Sequence, residues 1–144
     1  MKRKIISLFL VLWSVLCLFC LTACNATLAV TLLSSEEKKL VIRIDEAQDG
    51  AKLIDALQQL KETNQLDFEI VGGMITSVNG KEGEATGTNS GYSWIIYTSN
   101  SELSFPAYTK TYENIVCYSA AFGAESLAVQ KGETIILSYD EWSF

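Results

Sequence analysis

Hydrophobic and polar positions alternate along most of this chain with the period of a strand. Leu40, Ile42 and Ile44 point one way while Arg43 and Asp45 point the other, so residues 40–45 read as a strand with its apolar side inward. One stretch departs from that period. Leu53, Ile54, Leu57 and Leu60 recur at helical spacing, and Lys52, Gln58, Gln59, Lys61 and Glu62 fall on the solvated side, which predicts a helix over about 51–63. Asp49 precedes it as a candidate cap, and Asn64 follows as a candidate left-handed stop. The strand period then returns. Residues 68–71 and 74–78 read as strands separated by Gly72-Gly73, and the second ends at Asn79-Gly80, a strong turn dipeptide. Further strands are expected around 115–118 and over 134–139, with a short element at 127–129. Trp142 and Phe144 are expected to pack back on the domain.

The densest run outside the N-terminus is Gly91-Tyr92-Ser93-Trp94-Ile95-Ile96-Tyr97-Thr98. Tyr92, Trp94 and Ile96 load one face, and Ile95 and Tyr97 the other. A strand that is apolar on both faces belongs at the centre of a sheet. Two polar stretches flank it, 79–91 and 99–111, and both read as surface loops. The first holds Gly80, Gly83, Gly87 and Gly91, without the spacing of a phosphate cradle or the acids of a calcium loop. The order of strand, helix and then several strands gives an α+β class, with one helix lying across one face of a sheet.

The N-terminus follows another logic. Met1-Lys2-Arg3-Lys4 is a basic head, and Ile5 to Phe19 carries no charge and only Ser7 and Ser14 as polar interruptions. Leu21-Thr22-Ala23-Cys24 then resembles the bacterial lipobox, an aliphatic residue and two small residues before Cys. The resemblance implies a diacylglyceryl thioether on Cys24 and cleavage before it. Residues 1–23 are then a lipoprotein signal peptide, 24–39 the acylated Cys and a tether, and 40–144 the domain. An ordinary signal peptide cut elsewhere and an uncleaved anchor are the rival readings. The expected location is the extracytoplasmic face of the cell membrane, held by the lipid on Cys24.

Charge and cysteine content narrow the partners. Eleven basic and seventeen acidic residues give −6, and loss of Lys2, Arg3 and Lys4 with the signal leaves eight basic residues and −9. Such a surface repels nucleic acid, and no nucleic-acid partner is expected. Cys17, Cys20 and Cys24 belong to the N-terminal segment, so Cys117 stands alone and reads as a small buried apolar residue. The chain has no histidine, which excludes Ser-His-Asp and Cys-His nucleophiles and any histidine metal site. Asp140-Glu141 are sequence neighbours that point to opposite faces of a strand. No catalytic constellation, metal or cofactor is expected, and the chain does not read as an enzyme. Tyr92, Trp94 and Tyr97 carry two readings: core packing, or a ligand-binding stacking surface at one end of the sheet for a flat or sugar-like ligand.

Residues 40–139 are similar to the transcobalamin-like C-terminal domain of bacterial lipoproteins, the DUF4430 family. Four pieces carry the resemblance: residues 50–57 at the helix opening, 74–80 at a strand and turn, 91–97 at the aromatic strand, and 127–135 at the closing turn and strand. It implies a β-grasp-like mixed sheet packed on one helix, and a Gram-positive source. It also implies a small-molecule ligand, cobalamin-like in the vitamin B12 carriers, captured as a nutrient and passed to a transporter. The loop at 98–103 is longer than the family's short turn, and no histidine is present to ligate cobalt. The alternative is a non-enzymatic module that binds a protein or the cell wall.

Overall fold

The computed structural model describes residues 27–144; the expected signal peptide and the expected lipidation site, Cys24, lie outside the described residues. The first strand, β1 (Ala29–Glu36), pairs antiparallel with β2 (Lys39–Glu46) across the turn at Glu37-Lys38. Most of the stretch expected as a tether is therefore sheet. Val30 and Leu32 pack on the main core and Leu33 on the opposite face, which gives this segment apolar burial that a tether lacks.

The helix α1 (Leu53–Glu62) turns Leu53, Ala56, Leu57 and Leu60 inward. Its first free amides are met by the chain rather than by Asp49. Leu53 N–H donates to Leu127 O at 2.9 Å and Ile54 N–H to Ala124 O at 3.0 Å, while Asp55 reaches back to accept from Lys52 N–H at 2.9 Å. Asn64 adopts φ +55° and stops the helix, as its position predicts.

Strands β3 (Phe68–Val71), β4 (Met74–Val78) and β5 (Lys81–Glu82) make a small sheet. Its two turns, Gly72-Gly73 and Asn79-Gly80, have positive φ at every central residue, the primed geometry that matches strand twist. The large sheet adds β6 (Glu84–Gly87), β7 (Ser90–Thr98), β8 (Ser104–Tyr112), β9 (Ile115–Ala120) and β10 (Thr134–Ser143). Its order is β1-β2-β10-β7-β9-β8, with β6 also on β7. The fold is α+β, with antiparallel sheets and one α-helix among the described residues. Every ladder between the described strands is antiparallel, where a mixed sheet is expected.

Both stretches expected as loops contain strands. β5 and β6 occupy 81–87, and β8 follows a short 3-10 turn (Ser101–Leu103). All four residues of β6 and most of β8 are exposed, so backbone pairing holds them without a buried face. Such strands leave no apolar alternation to read. β10 also continues past Tyr139 to Ser143, and Phe144, 98 % exposed, does not pack back on the domain.

Burial divides by sheet face. On one, Leu40, Ile42, Ile44, Trp94, Ile96, Ile135 and Leu137 meet the apolar stripe of α1. On the other, Val41, Tyr97, Cys117 and Ile136 form a smaller buried cluster flanked by Leu33, Ile95 and Tyr112. β7, its neighbour β10 and the next strand β2 thus carry bulk on both sides, and the central placement of 91–98 follows from that.

Candidate functional site

β10 pairs with β7 along all nine residues, Ser90 to Thr98. The other edge of β7 is interrupted. β6 covers Ser90 to Tyr92, β9 covers Tyr97 and Thr98, and Ser93–Ile96 have no strand partner there among the described residues. A cleft of about 700 Å³ opens at this gap. Met74 and Ile75 of β4, Phe122 and the inner strand residues Trp94 and Ile96 give it apolar walls, and Glu69 and Glu82 add acids. Met74 is 69 % exposed although nothing polar recommends it to water. One end is shut by backbone contact: a Cβ on Gly123 would collide with Gly73 O, so the 72–73 and 122–123 turns touch.

The three aromatic residues singled out in the sequence are not brought together. Tyr92 and Trp94 share the helix face with Tyr139. The Tyr92 ring stacks on Tyr139 at 5.6 Å and 11°, and Trp94 tilts against Tyr139 at 5.4 Å and 58°. Trp94 is 6 % exposed, and its Nε1–H donates to Lys81 O at 2.8 Å, so it lends the cleft only an edge. Tyr97 lies on the opposite face, buried, with its hydroxyl donating to Asp140 Oδ2 at 2.6 Å. Burial pushes that hydroxyl well above the ordinary tyrosine range, and the Asp140 carboxylate pushes in the same direction.

Asp140 is the polar centre of the second face. Besides Tyr97, Lys110 Nζ donates to its Oδ1 at 2.7 Å and Ser138 Oγ to the same oxygen at 2.8 Å. Burial alone would raise its pKa; the three hydrogen bonds outweigh burial and hold the carboxyl below the usual range. Sequence reasoning missed Lys110, which sits in a supposed loop, and dismissed Asp140 as solvation. The available signal was the alternation Ile136, Ser138, Asp140, Trp142 down one face of β10. It also missed Met74 and Phe122, for which the signal was two large apolar residues set directly against Gly-Gly and Gly turns.

Two buried titratable groups lie apart from the clefts. Burial pushes the Cys117 thiol up to about 11, and its Sγ–H donates to Thr134 O at 3.5 Å. Glu133 accepts from Gln130 N–H through Oε2, while its Oε1 has no partner among the described residues; burial raises its pKa. Among the described residues, no group of three or more His, Cys, Asp or Glu is placed to hold a metal, and no helix is long and apolar enough to cross a membrane.

These features define an α+β domain with an apolar cleft at an interrupted central strand. No family model matches the chain, and no curated protein or solved structure matches it.

Proposed function

We propose that this chain is a membrane-anchored extracytoplasmic lipoprotein whose domain captures a small, largely apolar ligand in the cleft beside Ser93–Ile96. The observation that carries the reading is the interrupted ladder of β7. It leaves backbone amides and carbonyls of a central strand facing an apolar space of about 700 Å³, inside the ordinary range of about 300–1,000 Å³ for ligand pockets. Apolar walls then supply affinity and the strand edge fixes the orientation of the ligand's polar rim. The basic head, the apolar run and Leu21-Thr22-Ala23-Cys24 support the lipid anchor. The helix lying across one sheet face, and the four family-like segments, support a β-grasp-like reading of the fold, though with antiparallel ladders throughout. A corrinoid or other flat nutrient, delivered to a transporter, is the narrower version.

Thermal shift of the full chain in detergent with cobalamin, cobinamide, haem and a wider panel of small molecules tests it. A ligand at a hundredfold over Kd adds about 2.7 kcal/mol of stability. Met74→Ala and Phe122→Ala should abolish the shift and leave the unliganded melting temperature in place. No shift with the corrinoids or haem removes the narrower version, and a shift indifferent to both variants removes the cleft. Incorporation of labelled palmitate should vanish in Cys24→Ala; if it persists, the anchor is wrong. A second reading, a module that binds the cell wall, is favoured by the aromatic residues exposed on the other sheet face.

A further inference from the structure

The second face carries a site that the capture reading does not use. A cleft of about 600 Å³ lies between β8 and the end of β10, lined by Tyr97, Tyr108, Lys110, Asp140, Trp142 and their neighbours. Its most telling feature is how Trp142 is seated. A Cβ on Gly91 would stand 2.8 Å from Trp142 Cζ2 and 3.0 Å from Cε2, so the indole is laid against the backbone of β7 where only glycine leaves room. The ring is held against the sheet, the Phe144 ring tilts beside it at 5.4 Å and 43°, and the half-buried residue keeps its remaining surface at the cleft. Tyr108 stands 70 % exposed on the β8 wall. Between these walls sits the Lys110–Asp140 pair, itself fixed by Tyr97 and Ser138.

We propose that this cleft binds a neutral oligosaccharide. A fixed, flat aromatic surface suits the apolar face of a pyranose ring, and a hydrogen-bonding pair beside it suits the ring's hydroxyls. Lys110 has donor capacity beyond its one bond to Asp140, and Asp140 Oδ2 accepts only from Tyr97, which leaves each with a position for a hydroxyl. The charge argues for a neutral ligand. Lys110 is neutralised by Asp140, and the domain around the cleft is acidic. The same charge disfavours an anionic bilayer surface as the occupant. So does the indole's position, held against Gly91 of the sheet and beside the Phe144 ring.

The test uses the full chain in nanodiscs and follows tryptophan emission, with Trp142→Phe subtracted to isolate that ring. Cellotetraose, maltotetraose and chitotetraose are titrated, with an oligogalacturonate as the anionic control. At least one neutral tetrasaccharide should give a saturable change, and the oligogalacturonate none. Read by isothermal titration calorimetry, which needs no reporter ring, Trp142→Ala and Tyr108→Ala should each weaken binding about tenfold or more, as large aromatic contacts at a recognition centre do. Tyr108 is exposed enough that its variant keeps the melting temperature, so a folding failure of Trp142→Ala would leave the proposal testable. Met74→Ala in the other cleft should leave sugar binding unchanged, which separates this site from the capture reading. The proposal is overturned if no neutral tetrasaccharide saturates, or if Tyr108→Ala binds as the parent does. It is also overturned if Trp142 emission shifts to the blue on moving from detergent to nanodiscs and ignores sugar, an outcome that assigns the face to lipid.

Discussion

The two faces of the seven-stranded sheet bury their aromatic residues in different ways. On the helix face, Trp94 is sealed under separate elements, and its one polar atom goes to a backbone carbonyl, Lys81 O. On the other face, Tyr97 lies under the sheet's own β8–β9 hairpin, with Tyr112 and Cys117 beside it, and its polar atom goes to the carboxylate of Asp140. A carbonyl partner is indifferent to pH, whereas a carboxylate partner titrates. The first face is therefore a core, closed except at the cleft beside Ser93–Ile96, whose stability follows apolar area. The second is a half-wet surface whose stability depends on charge, and recognition through polar contacts becomes possible there.

The largest expected effect is on the closed face. Trp94→Ala removes a ring that is almost wholly buried and leaves Lys81 O without its donor. The expected loss is about 3–5 kcal/mol by chemical denaturation, the usual range for a buried tryptophan. Trp142→Ala, on the half-wet face, should cost much less, since that residue keeps part of its surface in water. Equal losses would break the contrast between the faces. A folded Trp94→Ala protein that had lost only ligand binding would move Trp94 from core to site.

Gly91→Ala is expected next, at about 1–3 kcal/mol for overpacking. Its Cβ would collide with Glu84 O of β6 and press on the Trp142 indole. Neither the strand backbone nor a seated ring yields cheaply. Near-ultraviolet circular dichroism should change with the melting temperature, because the indole must move. An unchanged spectrum with an unchanged melting temperature would show that Trp142 does not rest on Gly91.

Much of this architecture was legible in the sequence wherever side chains declare a buried face. The helix stripe, the strands of 40–45, 68–71 and 74–78, both two-residue turns and the central place of 91–98 all follow from period and turn chemistry. β6 and β8 were not legible, because their pairing is carried by backbone atoms and most of their side chains are exposed, with Lys110 and Tyr112 of β8 among the exceptions. Residues 29–36 read as a spacer because a short apolar run that ends in Ser34-Ser35-Glu36, close behind the expected acylated Cys24, has the composition of one. The aromatic trio was legible as residues and in part as geometry: period two already puts Tyr92 and Trp94 opposite Tyr97, so no single surface holds all three. The gap along Ser93–Ile96 depends on where two other strands stop, and no local pattern encodes that.

Asp140→Asn tests the pH sensitivity assigned to the second face. The hydrogen bonds from Lys110, Tyr97 and Ser138 depress the folded pKa of Asp140 against the effect of burial. A depressed carboxylate stabilises the fold above its unfolded value, and that contribution disappears as pH falls through the folded value. The parent should therefore lose stability on acidification below the ordinary carboxylate range. Asp140→Asn should be weaker by about 1 kcal/mol at neutral pH and fall less steeply in acid. Parallel acid limbs in urea-denaturation series of the two proteins would assign the acid sensitivity elsewhere.

The smallest effect has the opposite sign and lies at neither cleft. Glu133 is buried, its Oε1 is unpartnered, and burial raises its pKa. A raised carboxyl costs nothing below its unfolded pKa. As pH rises above that value toward the folded one, the unfolded chain releases the proton first, so stability falls until the folded value is passed. Glu133→Gln keeps an acceptor for Gln130 N–H and removes the charge. The variant should match the parent in acid and exceed it at neutral pH by up to about 1 kcal/mol, since the buried amide still lacks a full set of partners. Melting temperatures across the acid-to-neutral range would show the two curves diverging upward. Curves that coincide at every pH would mean that Glu133 carries no charge penalty, and the charge sensitivity of the fold would then rest on the second face alone.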